Sequence, residues 1–152
     1  MATELIDYKD KGFQISDIFM QLAIYNINEE LKKNQYIFTN KDALQEYHES
    51  IINGHMAGWL ILDWDTIIVN KAEEQNMIQI LQIVKTTILN KGSYISVGEL
   101  QAIPTMDKDF KLFYSRKPFP TSELIKIVDA LIEMLQGTWE FTNYDMNINY
   151  QY

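Results

Sequence analysis

Cysteine is absent from this chain, and two other chemically versatile side chains are scarce: one Arg and two His stand among 152 residues. Without cysteine there is no disulfide, no thiolate nucleophile and no thiolate metal site, a composition compatible with a reducing cytoplasm. Three Pro and six Gly are too few breakers for a disordered or low-complexity chain. No apolar run approaches the ~18 residues of a membrane span. The opening residues from Met1 to Tyr8 lack the basic stretch, apolar core and small-residue cleavage site of a secretory signal. The expectation is a cytoplasmic protein with no membrane partner.

Positive charge is also in deficit. Thirteen basic residues face 21 acidic ones, a formal net charge of −8, and the acids are spread along the chain. A phosphate backbone requires clustered Lys and Arg, and no cluster exists, so nucleic acid is not an expected partner. A basic protein would be steered toward such a surface, although moderate negative charge also serves plain solubility.

What the chain does have is material for a core. With 47% hydrophobic residues, a chain of this length removes roughly 70% of its unfolded surface from water and needs no metal or disulfide to fold. No repeat or linker divides it, and residues 1–152 read as one globular domain. Ser16 stands where it can cap a first helix running to about Lys33, with Met20, Ile24, Ile27 and Leu31 in a buried stripe. Thr39 or Asn40 opens a second helix carrying Leu44, Tyr47, Ile51 and Ile52, which Gly54 ends. Asn70 and Glu73 form a capping pattern ahead of the longest stripe, Met77, Leu81, Val84 and Ile88, stopped at Asn90-Lys91-Gly92. Ser96 and Glu99 cap a short helix, and Pro118 and Pro120 lead into a last one with Leu124, Val128, Leu131 and Leu135 in register. Asp107 to Arg116 reads as a loop with a short strand at Lys111 to Tyr114, and Gly58 to Val69 reads equally as a buried strand or as the lead into a helix. The expected fold is mainly α, a compact single-domain helical fold with two or three short strands; α+β is the alternative.

Candidate chemistry is sparse. Trp59-Leu60-Ile61-Leu62-Asp63-Trp64-Asp65 places four apolar residues before Asp-x-Asp and resembles the nucleophile strand of haloacid-dehalogenase-like phosphotransferases. That resemblance implies Asp63 as the nucleophile, Asp65 as the acid–base group and Mg²⁺ between carboxylate and phosphate. It covers about nine residues, and the Lys and metal-holding acidic loop of that family do not follow in pattern. The plainer reading puts Trp59, Leu60 and Leu62 in the core and lets one Asp cap a helix. His48-Glu49 begins a zinc-protease motif, but Ile52 occupies the second His position; a satisfied or solvent-facing His48 is the better reading. No nucleophile elbow or phosphate-binding loop completes. Neither a catalytic residue, a cofactor nor a metal is therefore expected.

From Gly58 onward the order of features resembles small bacterial immunity proteins. The likeness rests on Gly58 to Asp65, the long amphipathic helix to Gly92, Tyr94-Ile95-Ser96 with Glu99-Leu100, and Phe119 to Leu124 opening the last helix. It implies a non-catalytic inhibitor that binds a cognate toxin, often a basic one, through an acidic surface with aromatic anchors. The residues expected to make that contact are Asp63, Trp64 and Asp65, together with Trp139, Glu140, Tyr144 and Asp145 near the chain's aromatic end. The alternatives are a non-catalytic scaffold module, or a Mg-dependent phosphohydrolase using Asp63 and Asp65. For residues 139 to 152 the simpler expectation is packing against their own domain.

Overall fold

Two six-residue strands, β1 (Thr3–Tyr8) and β2 (Lys11–Ser16), open the computed structural model, which describes residues 2–152. They pair antiparallel from Thr3 opposite Ser16 to Tyr8 opposite Lys11. Lys9 and Asp10 form the turn with φ of 49° and 67°, the doubly left-handed geometry of a type I′ hairpin. The Asp65 carboxylate braces that turn by accepting the Lys9 N–H at 2.9 Å. Periodicity alone assigns no element ahead of Ser16, so this hairpin is an addition to the expected fold.

The rest is mainly helical, as the apolar stripes require. β2 runs directly into α1 (Asp17–Leu31), which is followed by α2 (Lys41–Ile52), the single turn α3 (Trp64–Ile67) and the long α4 (Lys71–Leu89). β3 (Tyr94–Ile95) pairs antiparallel with β4 (Phe119–Pro120), with α5 (Val97–Ala102) and α6 (Lys108–Phe113) between them, and α7 (Thr121–Gln136) follows. α1 lies at the centre, packed against α2, α4 and α7, while α4 lies along α7. One hydrophobic cluster joins the hairpin to all the long helices, from Ile6 and Phe13 through Ile24 and Leu81 to Leu131. Burying each such side chain is worth about 1.5–3 kcal/mol.

Caps sort the expected helix starts. Asn70 accepts the Glu73 N–H at 2.9 Å and Ser96 accepts that of Glu99 at 3.1 Å, as the sequence pattern predicts. Ser16 does stand at the N-cap of α1, but its buried hydroxyl has no hydrogen-bond partner among the described residues. Asn40 precedes α2 without a side-chain cap. The segment expected to be a loop with a strand at Lys111 to Tyr114 is instead helix α6. Asp107 caps it by accepting N–H groups from Asp109 at 3.0 Å and Phe110 at 3.3 Å. Phe110 and Tyr114, one turn apart, are both buried, and the Lys111 ammonium bonds back to the carbonyls of Gln101 and Ile103.

The last residues pack back on the domain. Gly12 N–H donates to Phe141 O at 2.9 Å, Gln14 N–H to Met146 O at 2.6 Å, and Ile148 N–H to Gln14 O at 3.0 Å. Trp139 anchors the start of this segment, its indole N–H donating to Gly12 O at 2.8 Å and its ring edge-on to Phe13. Tyr150 and Tyr152 join Phe19, Phe113 and Phe119 in an aromatic cluster. Gly12 sits where the three layers of chain meet: a Cβ there would lie 1.9 Å from Ile6 O and 3.0 Å from Asn143 Cβ. Gly12→Ala is expected to cost about 2–4 kcal/mol, read as a lower denaturation midpoint together with faster amide exchange at Gln14 and Ile148.

Candidate functional site

The expected contact residues divide into two segments, and the fold brings both to the β1–β2 turn. On one side Asp65 holds the Lys9 N–H. On the other the Lys11 ammonium reaches Glu140 O at 3.4 Å and Asn143 donates to the Asp7 carboxylate at 3.4 Å. Asp7, Asp10 and Asp65 therefore share one end of the hairpin. The Asp7 carboxyl is held above its ordinary range by partial burial and then by the charges of Asp65 and Asp10, which are the signs of like charges crowded together.

The individual residues behave differently. Glu140 and Asp145 are exposed, Tyr144 is 74% exposed, and Trp139 is half-buried as a structural anchor. Asp63 is partly exposed in the left-handed region at φ 56°, and its carbonyl accepts the N–H groups of Thr66 and Ile67. Trp64 does not belong to any contact surface in this fold. It is 1% exposed, and its indole N–H donates to His48 Nε2 at 3.2 Å. The residue that faces solvent is Trp59, 62% exposed, which sequence reading assigned to the core. From Trp59 to Trp64 burial alternates, with Leu60, Leu62 and Trp64 buried and Trp59 and Ile61 exposed.

This arrangement collects a surface that sequence did not resolve. Leu60 N–H donates to the buried Glu4 carboxylate of β1 at 3.0 Å, so Trp59 and Ile61 flank the point where this segment meets the hairpin. Leu5 of β1, and Phe141 and Tyr144 beside β2, are also exposed. Aromatic and aliphatic side chains thus stand among acids around one hairpin whose backbone is hydrogen-bonded on the β2 side. Beneath Trp59 a notch of about 310 Å³ is lined by Glu46, Tyr47, Ser50, His55 and Met56. Across the 54–58 segment a wider groove of about 830 Å³ contains Asp17, Gln21, Asp107, Asp109 and Phe113. Asp107 is already committed there, capping α6 through one oxygen and accepting Gln21 Nε2 at 2.8 Å with the other.

No group of three or more His, Asp or Glu among the described residues is arranged to hold a metal. Gly58 to Asp63 forms no strand, so the nucleophile strand implied by the phosphotransferase resemblance is not present among the described residues. His48 is fully buried and structural. Because the Trp64 indole can only donate, Nε2 is the acceptor and the ring proton sits on Nδ1, facing Asn28 Oδ1 at 3.3 Å. Burial holds this imidazole neutral, its pKa lowered to about 3. No family model matches the chain, and no curated protein or solved structure matches it significantly.

The folded-state pKa of His48 lies below its ordinary value of 6.5, so on acidification the unfolded chain takes up the proton first. The stability His48 contributes is complete above that value and is lost as pH falls toward about 3. His48→Gln keeps a donor and an acceptor but cannot titrate. Between about pH 6 and 4 wild type should lose stability faster than this variant, by up to about 1.4 kcal/mol per pH unit, measured by urea denaturation across pH. Asp63→Gly removes a left-handed aspartate whose side chain makes no cap, and should leave stability unchanged or raise it by about 0.5–1 kcal/mol.

Proposed function

We propose that this protein is an inhibitory binding protein of the immunity type, which neutralises a cognate bacterial toxin in the cytoplasm by direct contact. The observation that carries this reading is the surface around the β1–β2 hairpin. There Asp7, Asp10 and Asp65 share the turn end, and Leu5, Trp59, Ile61, Phe141 and Tyr144 are exposed on the hairpin or on segments hydrogen-bonded to it. Exposed Trp and Tyr on a rigid scaffold are the side chains that dominate binding energy at interfaces. The acids select a basic partner and raise its encounter rate, and the net charge of −8 acts in the same direction over longer range.

Inhibition by occlusion needs no cofactor, metal or nucleophile, only a face that holds its shape. The structure supports rigidity there. Hydrogen bonds of Gly12, Gln14 and Ile148 hold the 141–148 segment to β2, and the Asp65 carboxylate holds the turn. Association then loses little conformational entropy on the inhibitor's side. The likeness of residues 58–124 to small bacterial immunity proteins adds to this reading.

The test is co-expression with the reading frame adjoining the gene, scoring growth arrest by that frame, its relief by this chain, and co-purification of the two. Relief with a stable complex is expected. Trp59→Ala and Tyr144→Ala should each weaken the complex by at least about 1–2 kcal/mol while leaving the denaturation midpoint within about 0.5 kcal/mol of wild type. Trp64→Ala should instead lower stability by about 3–5 kcal/mol. An adjoining product that is not toxic, or toxicity this chain fails to relieve, would overturn the assignment.

A further inference from the structure

The two edges of the hairpin differ. Along β2 the outward N–H groups of Gly12 and Gln14 are taken by Phe141 O and Met146 O, and that of Ser16 by the Asn149 side chain at 2.5 Å. Their cross-strand neighbours in the register are Asp7, Leu5 and Thr3. In an antiparallel pair these are the positions whose own N–H and C=O point away from the partner strand. Among the described residues no hydrogen bond reaches the main-chain groups of Thr3, Leu5 or Asp7 on that side. All three residues are exposed. β1 is an open edge, and natural sheets normally cover or shorten such an edge.

We propose that the outer edge of β1 receives an extended, basic segment of a partner protein as an added strand. Main-chain bonds to Thr3, Leu5 and Asp7 supply affinity, and alternate side chains of the incoming segment supply specificity. Those on one face meet exposed Leu5; those near the turn meet Asp7, Asp10 and Asp65. Trp59 and Ile61 stand outward on either side of Leu60, whose N–H is bound to Glu4 within the same strand. Charge decides the occupant. A second copy of this chain would bring another −8 to an edge already crowded with carboxylates, whereas lysine or arginine side chains meet acids, Asp7, Asp10 and Asp65, that make no ion pair among the described residues. The proposal rests on the reading of a basic partner and adds to it the mode of engagement.

The full chain, labelled for amide detection, is titrated with an alternating Lys–Val peptide of about seven residues, long enough to span the strand. Controls are the Asp–Val counterpart and a Lys–Val peptide N-methylated at every backbone amide, which has no N–H left on either edge and cannot form the strand ladder. The expected result is amide exchange at Leu5 and Asp7 slowed about tenfold or more, dependent on the lysines and lost on N-methylation. Leu5→Pro removes the outward donor at a position where an edge strand tolerates proline and should abolish the protection, while Leu5→Thr retains it. The N-methylated peptide keeps the test valid without any change to the protein. Perturbation confined to residues 139–145 or to Trp59, with Leu5 and Asp7 unaffected, would overturn strand addition and leave the acidic-surface reading standing. Binding indifferent to N-methylation, or none at all, would likewise overturn it; toxin neutralisation is judged separately by the co-expression result.

Discussion

β2 is hydrogen-bonded along both sides, and the rest of the candidate surface depends on that double pairing. One side fixes β1 and the turn; the other fixes residues 141–149. Gly12 makes it sterically feasible, since any side chain there would collide with Ile6 O. Because β2 passes directly into α1, the most central helix, the hairpin is bolted to the core. The acids and exposed rings around the turn therefore occupy defined positions. Rigidity of this kind is what the proposed contact surface needs beyond its acidity.

The long helices were legible because their apolar residues recur with helical period and their starts carry side-chain caps, as Asn70 with Glu73 and Ser96 with Glu99 show. The hairpin was not legible for a local reason. Its type I′ turn is made of Lys9 and Asp10, without the Gly or Asn that normally marks such a turn, so its conformation depends on tertiary support from Asp65. α6 was misread because Asp107 looked like part of a charged loop when it is a cap. In each case the deciding bond joins the segment to its own backbone or to a residue far away in sequence.

The two tryptophans of the 59–64 segment show where pattern reading stops. Trp59, Leu60, Ile61, Leu62 and Trp64 are all apolar, so the alternation that sends Leu60, Leu62 and Trp64 inward carries no polarity contrast. Only the Trp64–His48–Asn28 chain, buried between α1, α2 and α3, assigns one face to the core. Of the candidate contact set, the acids and Tyr144 kept their exposure, Trp139 proved an anchor and Trp64 a core residue.

The surface around the hairpin joins parts of the chain separated by more than a hundred positions, as in the bond from Gly12 to Phe141. Such distant pairing forms slowly relative to local helices, and during synthesis it must wait for the later residues to leave the ribosome. A nascent chain can assemble α1 to α4 before residues 141–148 reach β2. The proposed contact face is thus completed late in folding, so a truncated or stalled product would carry much of the helical body without it.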